Sequence, residues 1–170
     1  MYILALAHSR LNYIIHYLRH TRCYNAVDYT INISDAEGFG LATLESLACG
    51  TPIIVNMTGG LQEQVTDGEN WFGWGIQPSS KAVIGSLQVP YIYEDRINQS
   101  EFEDCLNKAL KLSSSKYKKI SLQGREHVKK NYNFENYEKG WVELMDSFIE
   151  KHGSWETRRG YTRYHLVEVA

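Results

Sequence analysis

Two short β-branched runs, Asp28-Tyr-Thr-Ile-Asn-Ile-Ser34 and Thr51-Pro-Ile-Ile-Val-Asn56, stand close together in the first third of the chain and predict two strands. Between them Gly38 and Gly40 loosen the backbone, and Leu41 to Cys49 takes helical spacing. The order strand, glycine loop, helix, strand predicts an α/β unit with a Rossmann-like parallel sheet and flanking helices. In that architecture ligands gather at helix N-termini. Along the helix Leu41, Leu44, Leu47 and Ala48 share one arc, while Thr43 and Ser46 face the other way. The arc therefore predicts the core face, and it contains Glu45. A buried carboxylate without partners costs roughly several kcal/mol, so Glu45 is expected to meet donors from the protein or from a ligand's hydroxyls. The competing reading puts it at the rim of the arc, reaching water.

Flanking patterns extend the picture. Leu11, Ile14/Ile15 and Leu18 predict a helix from Arg10 to Tyr24 ahead of the first strand. Trp71-Phe-Gly-Trp-Gly75 reads as a short buried strand, and residues 77–98 read as an irregular connection longer than most. Three helices should follow. Phe102, Cys105/Leu106 and Ala109/Leu110 mark the first, and Ser113-Ser-Ser caps the second. The third runs from about Asn133 to Lys151 with Phe134, Tyr137, Trp141, Leu144/Met145 and Phe148 on one stripe. The domain reading is a truncated leader and helix over 1–23, a Rossmann-like α/β domain with its C-terminal helices over 24–152, and a tail over 153–170.

Charge and cysteine usage narrow the class. A formal net charge of −2 in 170 residues gives no field for nucleic acid or for a membrane surface, and three arginines in the tail (Arg158, Arg159, Arg163) do not make a case for RNA. Three cysteines, Cys23, Cys49 and Cys105, lack paired CxxC spacing and fit a reducing, cytoplasmic compartment. Met1 to Ala7 is too short to span a membrane and has no basic lead-in. His16 and His20 have i, i+4 spacing without a neighbouring acid or a third ligand, so a wet helix face is expected there and no metal.

The candidate chemistry lies in Glu37-Gly-Phe-Gly-Leu-Ala-Thr-Leu-Glu45. The amides of Phe39, Gly40 and Leu41 belong to the first turn of the helix, where unpaired donors and the helix dipole together suit a phosphate. The run Glu37-Gly-Phe-Gly-Leu-Ala-Thr-Leu-Glu-Ser-Leu-Ala-Cys-Gly-Thr-Pro52 continues into Thr58-Gly-Gly-Leu-Gln-Glu-Gln-Val65 and Asp67-Gly-Glu-Asn70. With Tyr24-Asn-Ala-Val-Asp28 ahead of it, it resembles the C-terminal, nucleotide-sugar-binding domain of retaining GT-B glycosyltransferases, in particular family 4 (glycosyltransferase group 1). The resemblance covers roughly residues 24–150.

It implies a glycosyltransferase that uses a nucleotide diphosphate-sugar donor, transfers the sugar with retention and needs no metal or further cofactor. It also implies roles residue by residue. Glu37 and Glu45 are the catalytic-site pair, with Glu37 on the donor sugar and Glu45 on the ribose. Gly38, Phe39, Gly40 and Leu41 cradle the diphosphate, and Gly59 and Gly60 belong to the donor-binding loop that follows. One departure is visible. The basic pair that the family uses against the diphosphate has no counterpart in strand-loop context, because residues 1–23 offer only Arg10, Arg19 and Arg22. The expectation is therefore a C-terminal half, truncated at its N-terminus, whose partners are the donor, an acceptor of unknown identity and an N-terminal GT-B domain from the same gene or a neighbour. The alternative is a non-catalytic nucleotide-sugar-binding module or degenerate fragment. A dinucleotide oxidoreductase fits worse, because Thr43 stands where the third glycine of G-x-G-x-x-G belongs and the next strand ends in Asn56 rather than an acid.

Overall fold

The computed structural model describes residues 3–5 and 17–157, with side chains from residue 21 onward. Leu11, Ile14/Ile15, His16 and the arginines of the tail lie outside the residues so described, and of His20 only the backbone is described, so the reading of the His16/His20 pair falls outside them. Contacts along the chain divide it into two compact units, residues 1–130 and 131–170.

The first unit is built on a four-stranded parallel sheet of β1 (Ile3–Ala5), β2 (Tyr29–Asn32), β3 (Ile53–Asn56) and β4 (Gly73–Ile76), in that spatial order. Ile3 pairs with Tyr29, Ile31 with Ile54, and Val55 with Gly75, so every ladder is parallel. Strands buried on both faces read as unbroken apolar runs, and Ile53, Ile54 and Val55 are fully buried. The helices α1 (Tyr17–Asn25), α2 (Leu41–Ala48) and α3 (Leu61–Val65) connect the strands. β1 has no counterpart in the sequence reading: three residues are too few for alternation to register.

After β4 the chain forms an antiparallel hairpin, β5 (Ser80–Ile84) and β6 (Ile92–Arg96), in register from Ser80 opposite Arg96 to Ile84 opposite Ile92. The irregular connection expected over 77–98 is thus replaced by ordered structure. The hairpin alternates in facing but not in polarity, so the period-two signal is lost.

The helices α4 (Gln99–Leu110) and α5 (Ser114–Asn131) follow as expected. Asn98 caps α4 by accepting from the Glu101 amide at 2.8 Å. The core of this unit joins Tyr29, Ile31, Ile54 and Ile76 of the sheet to Cys105 and Ala109 of α4. Trp74, half-buried, meets Tyr29 edge-on at 5.2 Å between ring centroids. The short buried strand expected at 71–75 starts two residues late, since Trp71 is exposed and Gly73 begins β4.

The second unit contains α6 (Phe134–His152), capped by Asn133, whose side chain accepts from the Asn136 amide at 2.8 Å. Its predicted stripe from Phe134 to Phe148 is present, and no residue of the helix is buried.

Candidate functional site

Both central strands run out in an asparagine, Asn32 on β2 and Asn56 on β3. These residues stand at the C-terminal edge of the sheet, where α/β folds place their ligands. Asn32 organises the first loop. Its Oδ1 accepts from the Ser34 amide at 3.0 Å and the Ser34 hydroxyl at 2.7 Å, and its Nδ2 lies 3.4 Å from Glu37 Oε2. Asn56 is fully buried and ties that loop to the hairpin, donating from Nδ2 to the Ser34 carbonyl at 3.0 Å and the Asp95 carbonyl at 2.8 Å. The Asp95 amide in turn donates to the Asp35 carbonyl at 2.7 Å, and Arg96 pairs with the Asp35 carboxylate at 2.7 Å. The segment that leads into Glu37 is therefore held from two sides.

The glycine loop itself is seated by close backbone approach. Gly59 adopts φ +47°, and a Cβ there would lie 1.6 Å from the Glu37 carbonyl oxygen. A Cβ on Gly60 would meet Phe39 Cα and O at 2.8 Å each. The Gly59-Gly60 turn thus rests directly on the backbone of Glu37 to Phe39, so residues expected in one site are neighbours. Gly40 precedes α2 in the left-handed region at φ 85°, and no side chain caps that terminus. Buried Gln64 of α3 braces it from behind, donating from Nε2 to the Phe39 carbonyl at 2.5 Å. The Thr43 hydroxyl lies 2.7 Å from the Gly40 carbonyl and 2.6 Å from Gln64 Oε1, its single proton shared between them.

The orientation of α2 corrects the sequence expectation. The helix buries Thr43, Ser46 and Leu47 and exposes Leu41, Glu45 and Ala48. Hydroxyl pairing explains the reversal. Thr30 Oγ1 donates to Ser46 Oγ at 2.8 Å, and Ser46 Oγ donates to the Thr51 carbonyl at 2.9 Å. The buried polar side is satisfied, so it can face the sheet without the desolvation loss that periodicity alone assigns to it. Glu45 is accordingly not a buried carboxylate: it reaches water, and among the described residues the Tyr24 hydroxyl donates to it, at 3.0 Å from Oε2. Tyr24 is itself buried, and burial followed by its bond to Glu45 pushes its hydroxyl well above the ordinary tyrosine range. Among the described residues neither Glu37 nor Glu45 has a cationic partner.

Glu37, Gly38, Phe39, Leu41 and Glu45 line an accessible stretch, with Phe39 42% and Leu41 68% exposed. Sequence reasoning missed Tyr24, Asn32, Asn56 and Gln64. The signal for two of them was present, as an asparagine in each of the two β-branched runs. No cluster of metal-ligating side chains occurs among the described residues, and none of their helices is long and apolar enough to cross a membrane.

The family model described as glycosyl transferases group 1 matches residues 12–127. The chain belongs to that family. Among curated relatives, a D-inositol 3-phosphate glycosyltransferase of Thermomonospora curvata is 49% identical over 47 residues, 28% of this chain and 11% of the relative. A glycosyltransferase of Sulfolobus islandicus rod-shaped virus 1 is 27% identical over 113 residues, 66% of this chain and 32% of the relative. This group 1 chain thus spans about a third or less of the relatives it matches. In structure, the sucrose-phosphate synthase of Thermosynechococcus elongatus superposes with a TM-score of 0.55 at 23% identity, over 76% of this chain and 27% of that one. The shared fold is the GT-B type, with the match on part of its C-terminal domain.

Proposed function

We propose that the first unit binds the donor of a sugar transfer, a nucleotide diphosphate-sugar, along the stretch from Glu37 to Glu45. The observation that carries this reading is the seating of Glu37 and the uncapped, glycine-led N-terminus of α2 side by side at the C-terminal edge of a parallel sheet. The α2 terminus receives the diphosphate, whose charge the helix dipole and first-turn amides favour. Glu45 lies one turn along the same exposed side and accepts the ribose hydroxyls, with Tyr24 steadying its carboxylate from the protein side. Glu37, oriented by Asn32, accepts the sugar's hydroxyls.

In the transfer the glycosidic bond lengthens and negative charge builds on the diphosphate, so donors already aimed at the phosphate lower the barrier. The departing phosphate takes the acceptor's proton on the same face, which preserves the anomeric configuration. An acceptor domain of the GT-B type supplies the other wall of the cleft, and the activity of the whole enzyme depends on it. The second reading is a module that holds the donor without turnover.

Calorimetry of uridine, guanosine and adenosine diphosphates and their hexose conjugates tests the assignment. Glu45→Gln should weaken both the diphosphate and its sugar form by about ten- to a hundredfold, the loss of a charge-assisted hydrogen bond of roughly 1.5–3 kcal/mol. Glu37→Gln should weaken only the sugar-bearing form. Equal weakening of the bare diphosphate by both variants would refute the division of roles. Turnover after an acceptor domain is added separates the enzyme from the binding module.

A further inference from the structure

The β5–β6 hairpin carries its polarity along its length rather than across its faces. Its base is charged and tied down: Lys81 pairs with Asp95 at 3.6 Å, and Arg96 pairs with Glu94 and with Asp35. From Ala82 to Tyr93 there is no charged residue. Opposed residues of an antiparallel pair share a face, and successive residues alternate. Val83 and Tyr93 therefore lie on one side and Ile84 and Ile92 on the other. All four are exposed, and so are Leu87, Val89 and Tyr91 at the turn, with Leu87 at 99%.

A protein partner laid on a two-stranded ribbon covers one side and leaves the other in water. Apolar groups on both sides and at the end, above a ring of charge, match an occupant that surrounds the hairpin from its tip. That occupant is a fluid apolar phase. Tyrosines among aliphatic residues also suit the boundary between lipid chains and headgroups. From Arg96 outward the ribbon rises about 15 Å at the ordinary strand repeat, enough to seat its apolar outer half 5–10 Å deep while the charged base stays wet.

We propose that the hairpin tip inserts into the surface of a lipid bilayer and docks this domain there, independently of what the Glu37 site binds. The contact is hydrophobic rather than electrostatic, since the outer half bears no charge and the net charge of the chain is −2. Because the Asp95 amide and Asn56 tie the hairpin's base to the loop before Glu37, the docked face lies next to the candidate site.

The test is flotation of the full chain with vesicles of zwitterionic phosphatidylcholine, with and without 20% phosphatidylserine, at low and high salt. The chain should float with neutral vesicles and be indifferent to salt. The tip variant Leu87→Ser/Val89→Ser/Tyr91→Asn should lower the partition coefficient at least tenfold at unchanged circular dichroism; asparagine tolerates the left-handed φ of 62° at Tyr91. A parallel variant, Trp141→Ser/Phe148→Ser on α6, should float like the parent. No binding to neutral vesicles would overturn the proposal. So would binding that needs phosphatidylserine and disappears with salt, since that assigns the contact to lysines such as those of α5. Loss of flotation in the α6 variant alone, or a tip variant that abolishes only self-association, would overturn it as well.

Discussion

Replacing Gly59 by alanine puts the largest predictable strain on the candidate site through the smallest chemical change. The added methyl carbon would start 1.6 Å from the Glu37 carbonyl oxygen and 2.8 Å from its carbon, both backbone atoms that cannot rotate away. The residue also sits at φ +47°, where an L side chain costs about 1–2 kcal/mol. Relieving the overlap requires the Gly59 turn and the Glu37 loop to separate, an overpacking cost of about 1–3 kcal/mol. Together the substitution should destabilise the domain by about 2–5 kcal/mol, a large part of the stability of an ordinary domain. Urea unfolding followed by tryptophan fluorescence measures this as a fall in midpoint at constant slope. The matched control is Gly38→Ala, which has open space around its Cβ and ordinary φ and should change stability by less than about 1 kcal/mol. Where the variant remains folded, the displaced Glu37 should weaken a nucleotide diphosphate-sugar more than the bare diphosphate. If Gly59→Ala is as stable as Gly38→Ala, the two loops do not rest on each other and Glu37 is not positioned by that contact.

Buried groups give two further outcomes. Asn56→Asp would turn a carboxylate toward the Ser34 and Asp95 carbonyls that the amide now serves, costing about 3 kcal/mol or more. Asn56→Ala should cost about 1–3 kcal/mol, and hydrogen exchange in the variant should quicken at the Asp95 amide first. Burial, then the neighbouring Tyr117 and Asp28, raise the Tyr29 hydroxyl from 10.0 to about 12. The folded state thus holds this proton more tightly than the unfolded chain does. Its contribution to stability is complete below pH 10 and is lost as pH rises toward 12. Denaturant midpoints at about pH 9, 10 and 11 should decline, and Tyr29→Phe should flatten the decline; an unchanged slope would remove Tyr29 as its cause.

The sheet was legible because buried parallel strands announce themselves: Ile53-Ile-Val55 leaves little choice of state, and Gly38 and Gly40 mark where the chain must turn. The place of Glu45 on α2 was legible from the helical spacing that begins at Leu41, whereas Glu37 stands in the loop ahead of that helix. The face of α2 was not. Periodicity counts apolar side chains, whereas Ser46 and Thr43 are buried by bonds to partners distant in sequence, Thr30 and Gln64, that no local window contains. The hairpin was hidden because both of its sides are apolar at the outer end, and β1 because it is short. Asn56 looked like an ordinary strand end, and its role depends on Asp95, thirty-nine residues further on.

The hydroxyl chain from Thr30 through Ser46 to the Thr51 carbonyl has a consequence for how α2 is held. Dispersion contacts are individually weak and carry no directional preference of their own. Hydrogen bonds near 2.8 Å are directional and weaken steeply when bent. The bonds at Thr43 and Ser46 therefore act as a rotational stop, fixing the angle at which Glu45 leaves the helix. An alanine in place of Ser46 would remove one of these stops and leave the angle to the bonds at Thr43 alone.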